Sequence, residues 1–228
     1  IADIGGGALY AAIGILIALM GVKQNGVGQY VDTSMLDGAV SWLPVLANDY
    51  FVKGVSPKAA ENILNGQNAC YEVYETADGR YISIGAIEPH LWANFCDAIG
   101  KEEFKLWQRD LTKQDEMFAC LREMFKSKTQ AEWIEKLTGV DCCWAPVKNL
   151  EEVFADPQVL ARDMVYEMTD PAGCYGSVKM IGSAVKLSET PARQELFPPR
   201  KGEHNAEYLK AVGYSDEQIA EFEKNGII

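Results

Sequence analysis

Histidine is scarce in this 228-residue chain, which contains only His90 and His204. A metal centre built mainly from imidazole ligands is therefore excluded, and we expect no metal site. None of the six cysteines has the Cys-x-x-Cys spacing of a metal or redox motif. We interpret them as reduced thiols, most of them in the core, and predict a cytoplasmic protein.

A surplus of basic residues is also lacking, because 33 acidic residues against 21 basic ones give a net charge of −12. Nucleic acids and anionic membranes attract basic surfaces, so we expect neither as a main partner. With 48% apolar and 24% charged residues, the composition is that of an ordinary globular protein. The length allows one large domain or two smaller ones.

Charged residues are absent between Asp3 and Lys23. Such a run is long enough to raise the question of a membrane span. Its glycines, the carboxylate before it and the lack of a basic flank favour a helix inside the protein instead. We predict this helix over residues 8–20 and expect it to be buried on all sides, since it is apolar all round. The first residue is not Met, and we expect the chain to be part of a longer polypeptide.

The start of the uncharged run places Asp3 just before Gly5, Gly6 and Gly7. Three glycines before a helix predict a loop whose backbone can approach another molecule closely. The N–H groups at the start of that helix would point at the bound molecule. The alternative interpretation is a plain N-terminal loop in which Asp3 only caps the helix.

The remaining pattern predicts an α/β protein. A β-hairpin is expected over residues 71–85, because two alternating segments flank Asp78-Gly79. The Thr129–Glu132 pair predicts a capping box. The other expected elements are a strand at 29–34, a helix at 35–51 kinked by Pro44, a linker at 53–68, helices at 91–99, 115–126 and 131–137, a buried strand at 142–147, a helix begun by Asp156-Pro157, a strand at 178–187, a return segment at 189–201, and helices capped by Asn205 and by Ser215 with Gln218.

Several motifs occur in an order that spans nearly the whole chain. They are Ala2-Asp3-Ile-Gly-Gly-Gly7, Gly26-Val-Gly28-Gln-Tyr-Val-Asp32 with Met35-Leu-Asp37-Gly38, Tyr74-Glu-Thr-Ala-Asp78-Gly79 leading to Gly85-Ala-Ile-Glu88-Pro89, Asp156-Pro-Gln-Val-Leu-Ala-Arg162-Asp-Met, and Gly202-Glu-His204 with Gly213-Tyr-Ser-Asp-Glu-Gln-Ile219. Each motif is weak alone, but the ordered set resembles family III CoA-transferases. Within that family the alpha-methylacyl-CoA racemase branch is the most similar.

The resemblance implies the C-terminal part of a family III fold: part of a Rossmann-like large domain plus a small α+β domain. Residues 1–56 and 141–228 would belong to the large domain, and 57–140 would form the small one. The resemblance also implies two interlocked copies in the full-length enzyme. The N-terminal half, which would carry most contacts with coenzyme A, would be missing here.

The resemblance implies that Asp3 and Glu88 are catalytic. In transferase members the aspartate matching Asp3 attacks an acyl-CoA thioester and forms an acyl-aspartyl anhydride. In racemase members it exchanges the proton alpha to the thioester carbonyl, and a histidine–glutamate pair serves the other face. Glu88 matches that glutamate, and the histidine would lie in the missing half. His90 does not match it and is interpreted as a helix-start residue, while His204 is interpreted as structural.

The expected ligand is an acyl-CoA thioester acting as substrate, with no tightly bound cofactor, and Gly5, Gly6 and Gly7 are candidate coenzyme A contacts. Three functional hypotheses stand. The first is a racemase-like enzyme acting on a 2-methylacyl-CoA, and the second is an acyl-CoA:carboxylate CoA-transferase. The third is a folded portion that is inactive without its N-terminal half.

Overall fold

The computed structural model describes residues 1–171, 173–192 and 196–228. The chain divides into two compact units, Ile1–Val147 and Lys148–Ile228. Small antiparallel sheets and many helices give the mixed α/β architecture that the sequence predicts. The predicted division into segments 1–56, 57–140 and 141–228 stays a prediction.

The first unit begins with a π-helical segment and continues into helices α1 to α3. Their bounds are Ala2–Ala8 for the π-helical segment, Leu9–Asn25 for α1, Met35–Ser41 for α2 and Pro44–Lys53 for α3. Pro44 occupies the first turn of α3, where its missing N–H costs nothing. The predicted kink is therefore a complete break between two helices.

The burial predicted for the first helix is wrong in this chain, because no residue of α1 is buried. The stretch Ala2–Asn25 is long and apolar enough to cross a membrane by length and composition, and only 11% of its most apolar window is buried. The core helix of a soluble protein passes the same test of length and composition. The apolar pattern indicates a helix that needs packing partners on all sides, but it does not identify those partners.

The strand predicted at residues 29–34 is also wrong. These residues connect α1 to α2 without pairing to any strand that the structure describes. A strand needs a neighbour to accept its backbone hydrogen bonds. Ser34, the last residue of the segment, instead caps α2 by accepting hydrogen bonds from Leu36 N and Asp37 N.

The predicted hairpin is confirmed. Strands β1 (Tyr71–Glu75) and β2 (Tyr81–Gly85) pair antiparallel around the Asp78-Gly79 turn. Gly79 has a φ of 72°, which glycine adopts without a steric penalty. Strand β3 (Trp144–Pro146) pairs antiparallel with β2 and is shorter and less buried than the sequence predicted.

The core of the first unit lies between this sheet and the helices that follow it. Their bounds are Pro89–Ile99 for α4, Phe104–Trp107 for α5, Gln114–Phe125 for α6 and Gln130–Leu137 for α7. Phe125 stacks on Tyr74 with ring centroids 4.7 Å apart and lies 4.6 Å from the ring of Trp133. The Thr129–Glu132 capping box is present at the start of α7.

The second unit holds a two-stranded sheet and short helices. Their bounds are Leu150–Phe154 for α8, Pro157–Ala161 for α9, Val165–Thr169 for β4, Ser177–Ile181 for β5, Asn205–Ala211 for α10 and Asp216–Lys224 for α11.

The predictions for this unit are partly confirmed. Asp156 caps α9, and Ser215 forms its capping box with Gln218. Strand β5 ends before the predicted limit, and residues 193–195 of the predicted return segment lie outside the described residues. The predicted cap of α10 is wrong, because His204 holds the cap position and Asn205 is the first helical residue.

Candidate functional site

Asp3 lies inside the first turn of the π-helical segment rather than in a loop before a helix. Its side chain is exposed. Gly5 N and Gly6 N both donate to the carbonyl oxygen of Ile1, over 2.8 and 3.0 Å. The expectation of a glycine loop is therefore wrong, because the three glycines continue the helical hydrogen bonding. A carboxylate in a first helical turn is stabilised by the positive end of the helix.

The glycines bring the backbone of this segment into close contact with α2. A Cβ atom on Gly38 would lie 2.0 Å from the carbonyl oxygen of Gly6, and one on Gly6 would lie 3.0 Å from that of Met35. Any side chain at these positions would force the two backbones apart. The structure thus gives Gly5, Gly6 and Gly7 a packing role, and their contact with coenzyme A stays a prediction.

A chain of side-chain hydrogen bonds joins α1 to the end of α2 beside the Asp3 turn. Trp42 Nε1 donates to Tyr10 Oη over 3.1 Å, and Ser41 Oγ donates to Gly38 O over 2.7 Å. Tyr10 Oη and Ser41 Oγ are 2.6 Å apart. Because the Ser41 hydroxyl proton is used on Gly38, Tyr10 is the donor of that bond.

None of these positioning side chains was predicted from the sequence. The indole ring of Trp42 also lies against Gly5, where an added Cβ would be 2.9 Å from it. Tyr10 could have indicated such a role, because it is a polar side chain one turn after the glycines within the uncharged run. Its partner on a second helix could not be read from the sequence.

Glu88 lies between β2 and α4 and is the residue that immediately precedes the helix. Its side chain is exposed and makes no cap hydrogen bond. Within the part of the chain that the structure describes, no hydrogen bond or ion pair engages its carboxylate. The adjacent backbone is hydrogen-bonded by contrast, since Gly85 N donates to Cys143 O over 2.8 Å and Ala86 N donates to Cys70 O over 2.9 Å.

One buried amide reaches the same loop. Gln108, which follows α5, donates from Nε2 to the carbonyl oxygens of Ala86 and Ile87. These are the two residues directly before Glu88. Gln108 is a site residue that the sequence analysis did not identify, because its partners lie about twenty residues away along the chain.

The structure does not join the two candidate carboxylates. Across the described ranges, no hydrogen bond links Asp3 to Glu88, and each lies at the surface on its own element.

His90 is exposed in the first turn of α4, and His204 Nδ1 lies 3.4 Å from Glu207 Oε2. Among the described residues, no group of three or more His, Cys, Asp or Glu side chains is placed to hold a metal ion.

Three cysteines are buried, Cys120 is half-buried and two are exposed. Burial raises the pKa of Cys96 to about 12 and that of Cys142 to about 11. Cys70 is buried as well, and desolvation raises its pKa, against a hydrogen bond with Gln108. Cys143 and Cys174 are exposed. The prediction of core thiols therefore holds for Cys70, Cys96 and Cys142.

The family assignment follows from a match of residues 1–205 to the sequence profile described as CoA-transferase family III. The chain belongs to CoA-transferase family III.

Relatives with different activities match this family III chain almost equally well. An acyl-CoA transferase of Fusarium pseudograminearum is 33% identical over 94% of the chain and 48% of the relative. The alpha-methylacyl-CoA racemase of Mus musculus is 32% identical over 100% of the chain and 59% of the relative. A CaiB/BaiF family protein of Brucella suis has a TM-score of 0.71 at 26% identity, over 92% of this chain and 55% of that structure. The chain thus spans about half the length of the relatives that it matches.

Proposed function

We propose that this chain contributes Asp3 and Glu88 to a racemase-like site that removes and returns the alpha-proton of a 2-methylacyl-CoA thioester. The observation that carries the proposal is the state of Glu88, whose carboxylate is exposed and unengaged in the described structure while its backbone is firmly held. A general acid or base needs a carboxylate that is available to exchange a proton and a backbone that aims it.

In the proposed reaction, the carboxylate of Asp3 takes the alpha-proton and the substrate becomes an enolate. A proton returned from the opposite face gives the inverted centre. Glu88 would act on that face together with a histidine outside this chain. The positive end of the helix that carries Asp3 favours negative charge beside it. That charge resides first on the carboxylate and then on the enolate oxygen.

The second candidate function is acyl-CoA:carboxylate CoA-transfer, and the similarity to the Fusarium acyl-CoA transferase favours it. Here Asp3 attacks the thioester carbonyl, the carbon–sulfur bond breaks, and coenzyme A leaves as the thiolate. The resulting acyl-aspartyl anhydride then exchanges with an acceptor carboxylate. This chemistry requires Asp3 and leaves Glu88 without an essential role.

The third candidate is a folded portion with no turnover of its own. It is favoured by the coverage of the relatives, of which the chain spans about half.

We extend the proposal to the whole enzyme as a cytoplasmic, interlocked homodimer. Sedimentation velocity on the whole polypeptide tests the dimer, since a monomer would contradict it.

One incubation distinguishes the candidates. A 2-methylacyl-CoA is incubated in deuterated water with the whole polypeptide and with this chain alone, each with and without an acceptor acid, and the products are analysed by mass spectrometry. For the racemase-like reaction we expect alpha-deuterium without acceptor, and a loss of about 10²–10⁴-fold in Asp3→Asn and in Glu88→Gln. Glu135→Gln, at an exposed acid of α7, is the matched control and should retain the full rate.

The other outcomes identify the other candidates. A new thioester that forms only with acceptor, and that disappears in Asp3→Asn but not in Glu88→Gln, indicates the transferase and overturns the racemase-like proposal. Product from the whole polypeptide but none from this chain alone indicates the inactive portion.

A further inference from the structure

We infer that Gln108 is the positioning residue for Glu88, holding its backbone so that the carboxylate meets the substrate at one place. This inference rests on the proposed function, because positioning has a meaning only if Glu88 takes part in the reaction. It adds a residue that touches no substrate and acts through the loop between β2 and α4.

The contact is specific in its geometry. The side chain of Gln108 is buried, with 6% of the residue exposed. Its Nε2 lies 3.0 Å from Ala86 O and 2.9 Å from Ile87 O. An amide nitrogen has two hydrogens, so one N–H serves each carbonyl. Both acceptors are carbonyl oxygens, so only the amide nitrogen can face them.

Gln108 is itself fixed by a second buried amide. Gln114 Nε2 donates to Asp110 O over 2.9 Å and lies 3.4 Å from Gln108 O. On its other side, Gln114 Oε1 accepts from Ala69 N over 2.9 Å. The Glu88 loop is therefore anchored to the interior through two amides rather than to a mobile surface side chain.

This anchor matters because the Glu88 carboxylate has no hydrogen bond of its own within the described ranges. The held backbone then fixes the Cα position and the direction from which the carboxylate side chain extends. Displacing a reacting group by about 1 Å costs about 10²-fold in rate. Removing the anchor should therefore lower the turnover number rather than the substrate affinity, since the buried side chain of Gln108 presents almost no surface to a substrate.

A purely structural role is the competing explanation, and the chain provides a matched control. Gln130 is likewise buried, with 3% exposed. Its Nε2 donates to Tyr81 O over 2.7 Å and to Val147 O over 3.2 Å. Gln130 thus binds two carbonyls at the opposite end of β2, away from Glu88. The same substitution at both glutamines removes the same groups from similar surroundings.

The experiment compares Gln108→Met with Gln130→Met in the whole polypeptide, both with Glu88 intact and in the Glu88→Gln background. We expect both variants to lower the melting temperature, since each removes two hydrogen bonds that a buried amide donates to backbone carbonyls. Only Gln108→Met should speed the hydrogen exchange of the Trp92 amide, which donates to Glu88 O. Only Gln108→Met should reduce alpha-deuterium incorporation, by about 10–100-fold with KM little changed. In the Glu88→Gln background it should cause no further loss of the residual rate.

Equal losses of activity from the two methionine variants would overturn the inference. So would a loss from Gln108→Met that is undiminished in the Glu88→Gln background. Should Gln108→Met fail to fold, Gln108→Asn keeps the donors one methylene shorter and should show the same pattern in milder form. If the whole polypeptide incorporates no deuterium, the proposed function fails, and amide exchange alone decides whether Gln108 holds the loop.

Discussion

Helices α1 and α6 are both rich in apolar residues, yet they are buried to opposite extents. In α6, Leu121 is completely buried, as are Met117 and Phe125. In α1, Leu16 is 61% exposed and no residue is buried. The difference lies in how the apolar residues are distributed around each helix, because α6 has a polar face and α1 has none.

An amphipathic helix needs covering on one side only, and the three-stranded sheet provides that layer for α6. A helix that is apolar all round needs neighbours on every side. The described chain provides α1 with contacts from the Asp3 turn and α2, which cover part of it. The comparison teaches that the region of residues 69–147 completes its own core, while the region of residues 1–53 does not.

The largest expected effect comes from making the same Leu→Ala substitution in both helices. Leu121→Ala should cost about 2–5 kcal/mol in the free energy of unfolding, because it leaves a cavity in a packed core. Leu16→Ala should change it by less than about 0.5 kcal/mol, because that side chain is exposed. Urea unfolding of the two variants measures both values. A cost at Leu16 equal to that at Leu121 would show that α1 is covered in solution and would break the comparison.

A second test concerns the close contact between the Asp3 turn and α2 in the N-terminal region. Gly38→Ala should cost about 1–3 kcal/mol, since its Cβ would lie 2.0 Å from the carbonyl oxygen of Gly6. Gly21→Ala has nothing within 4 Å of its Cβ and should stabilise α1 by about 0.5–1 kcal/mol. Thermal unfolding gives the sign of each change. A neutral Gly38→Ala would mean that the Asp3 turn does not rest on α2.

A third test uses two neighbouring thiols at the edge of the packed region. Cys143 is exposed and should react quickly with a thiol reagent at neutral pH. Cys142 should react slowly, because it is fully buried and its pKa is raised by that burial to about 11. Peptide mass spectrometry after timed alkylation measures the two rates, and Cys143→Ser should remove only the fast signal. Rapid labelling of Cys142 would contradict a closed core in residues 69–147.

The smallest expected effect is on the acid stability of the hairpin in the same region. Hydrogen bonds lower the pKa of Asp78, chiefly the one donated by the Thr76 hydroxyl over 2.5 Å and then that from Gln130 N. A lowered folded-state pKa means that the stabilisation is complete above the unfolded value of about 3.9. It is lost as the pH falls through the lower folded value. We therefore expect Asp78→Asn to make the melting temperature depend less on pH below the unfolded pKa of Asp78. An unchanged pH dependence in that range would contradict a stabilising role for the Asp78 carboxylate.

Local signals in the sequence predicted local structure well. Asp78-Gly79 predicted the hairpin because the turn depends on the residues within it. Thr129 with Glu132, and Ser215 with Gln218, predicted two helix starts for the same reason. Pro44 was recognised as an interruption, although the sequence did not distinguish a kink from the break that the structure has.

Predictions that needed a distant partner were less successful. Residues 29–34 have the composition of a strand, but no strand pairs with them in the described structure. At the candidate site, the sequence provided Asp3 and Glu88 through family resemblance, and the family itself is confirmed. Gln108 and Trp42 were missed, because their significance lies in contacts with residues that are far away along the chain.

By itself, the sequence determined the helix starts, the hairpin, the family and the two carboxylates to consider, since each depends on neighbouring residues or on an ordered set of motifs. Tertiary structure alone decided that the three glycines pack a helical turn against α2, that α1 is exposed in this chain, and that a buried amide holds the Glu88 loop. The physical reason is that burial and side-chain hydrogen bonding depend on which elements meet in space, and that information is distributed over the whole chain.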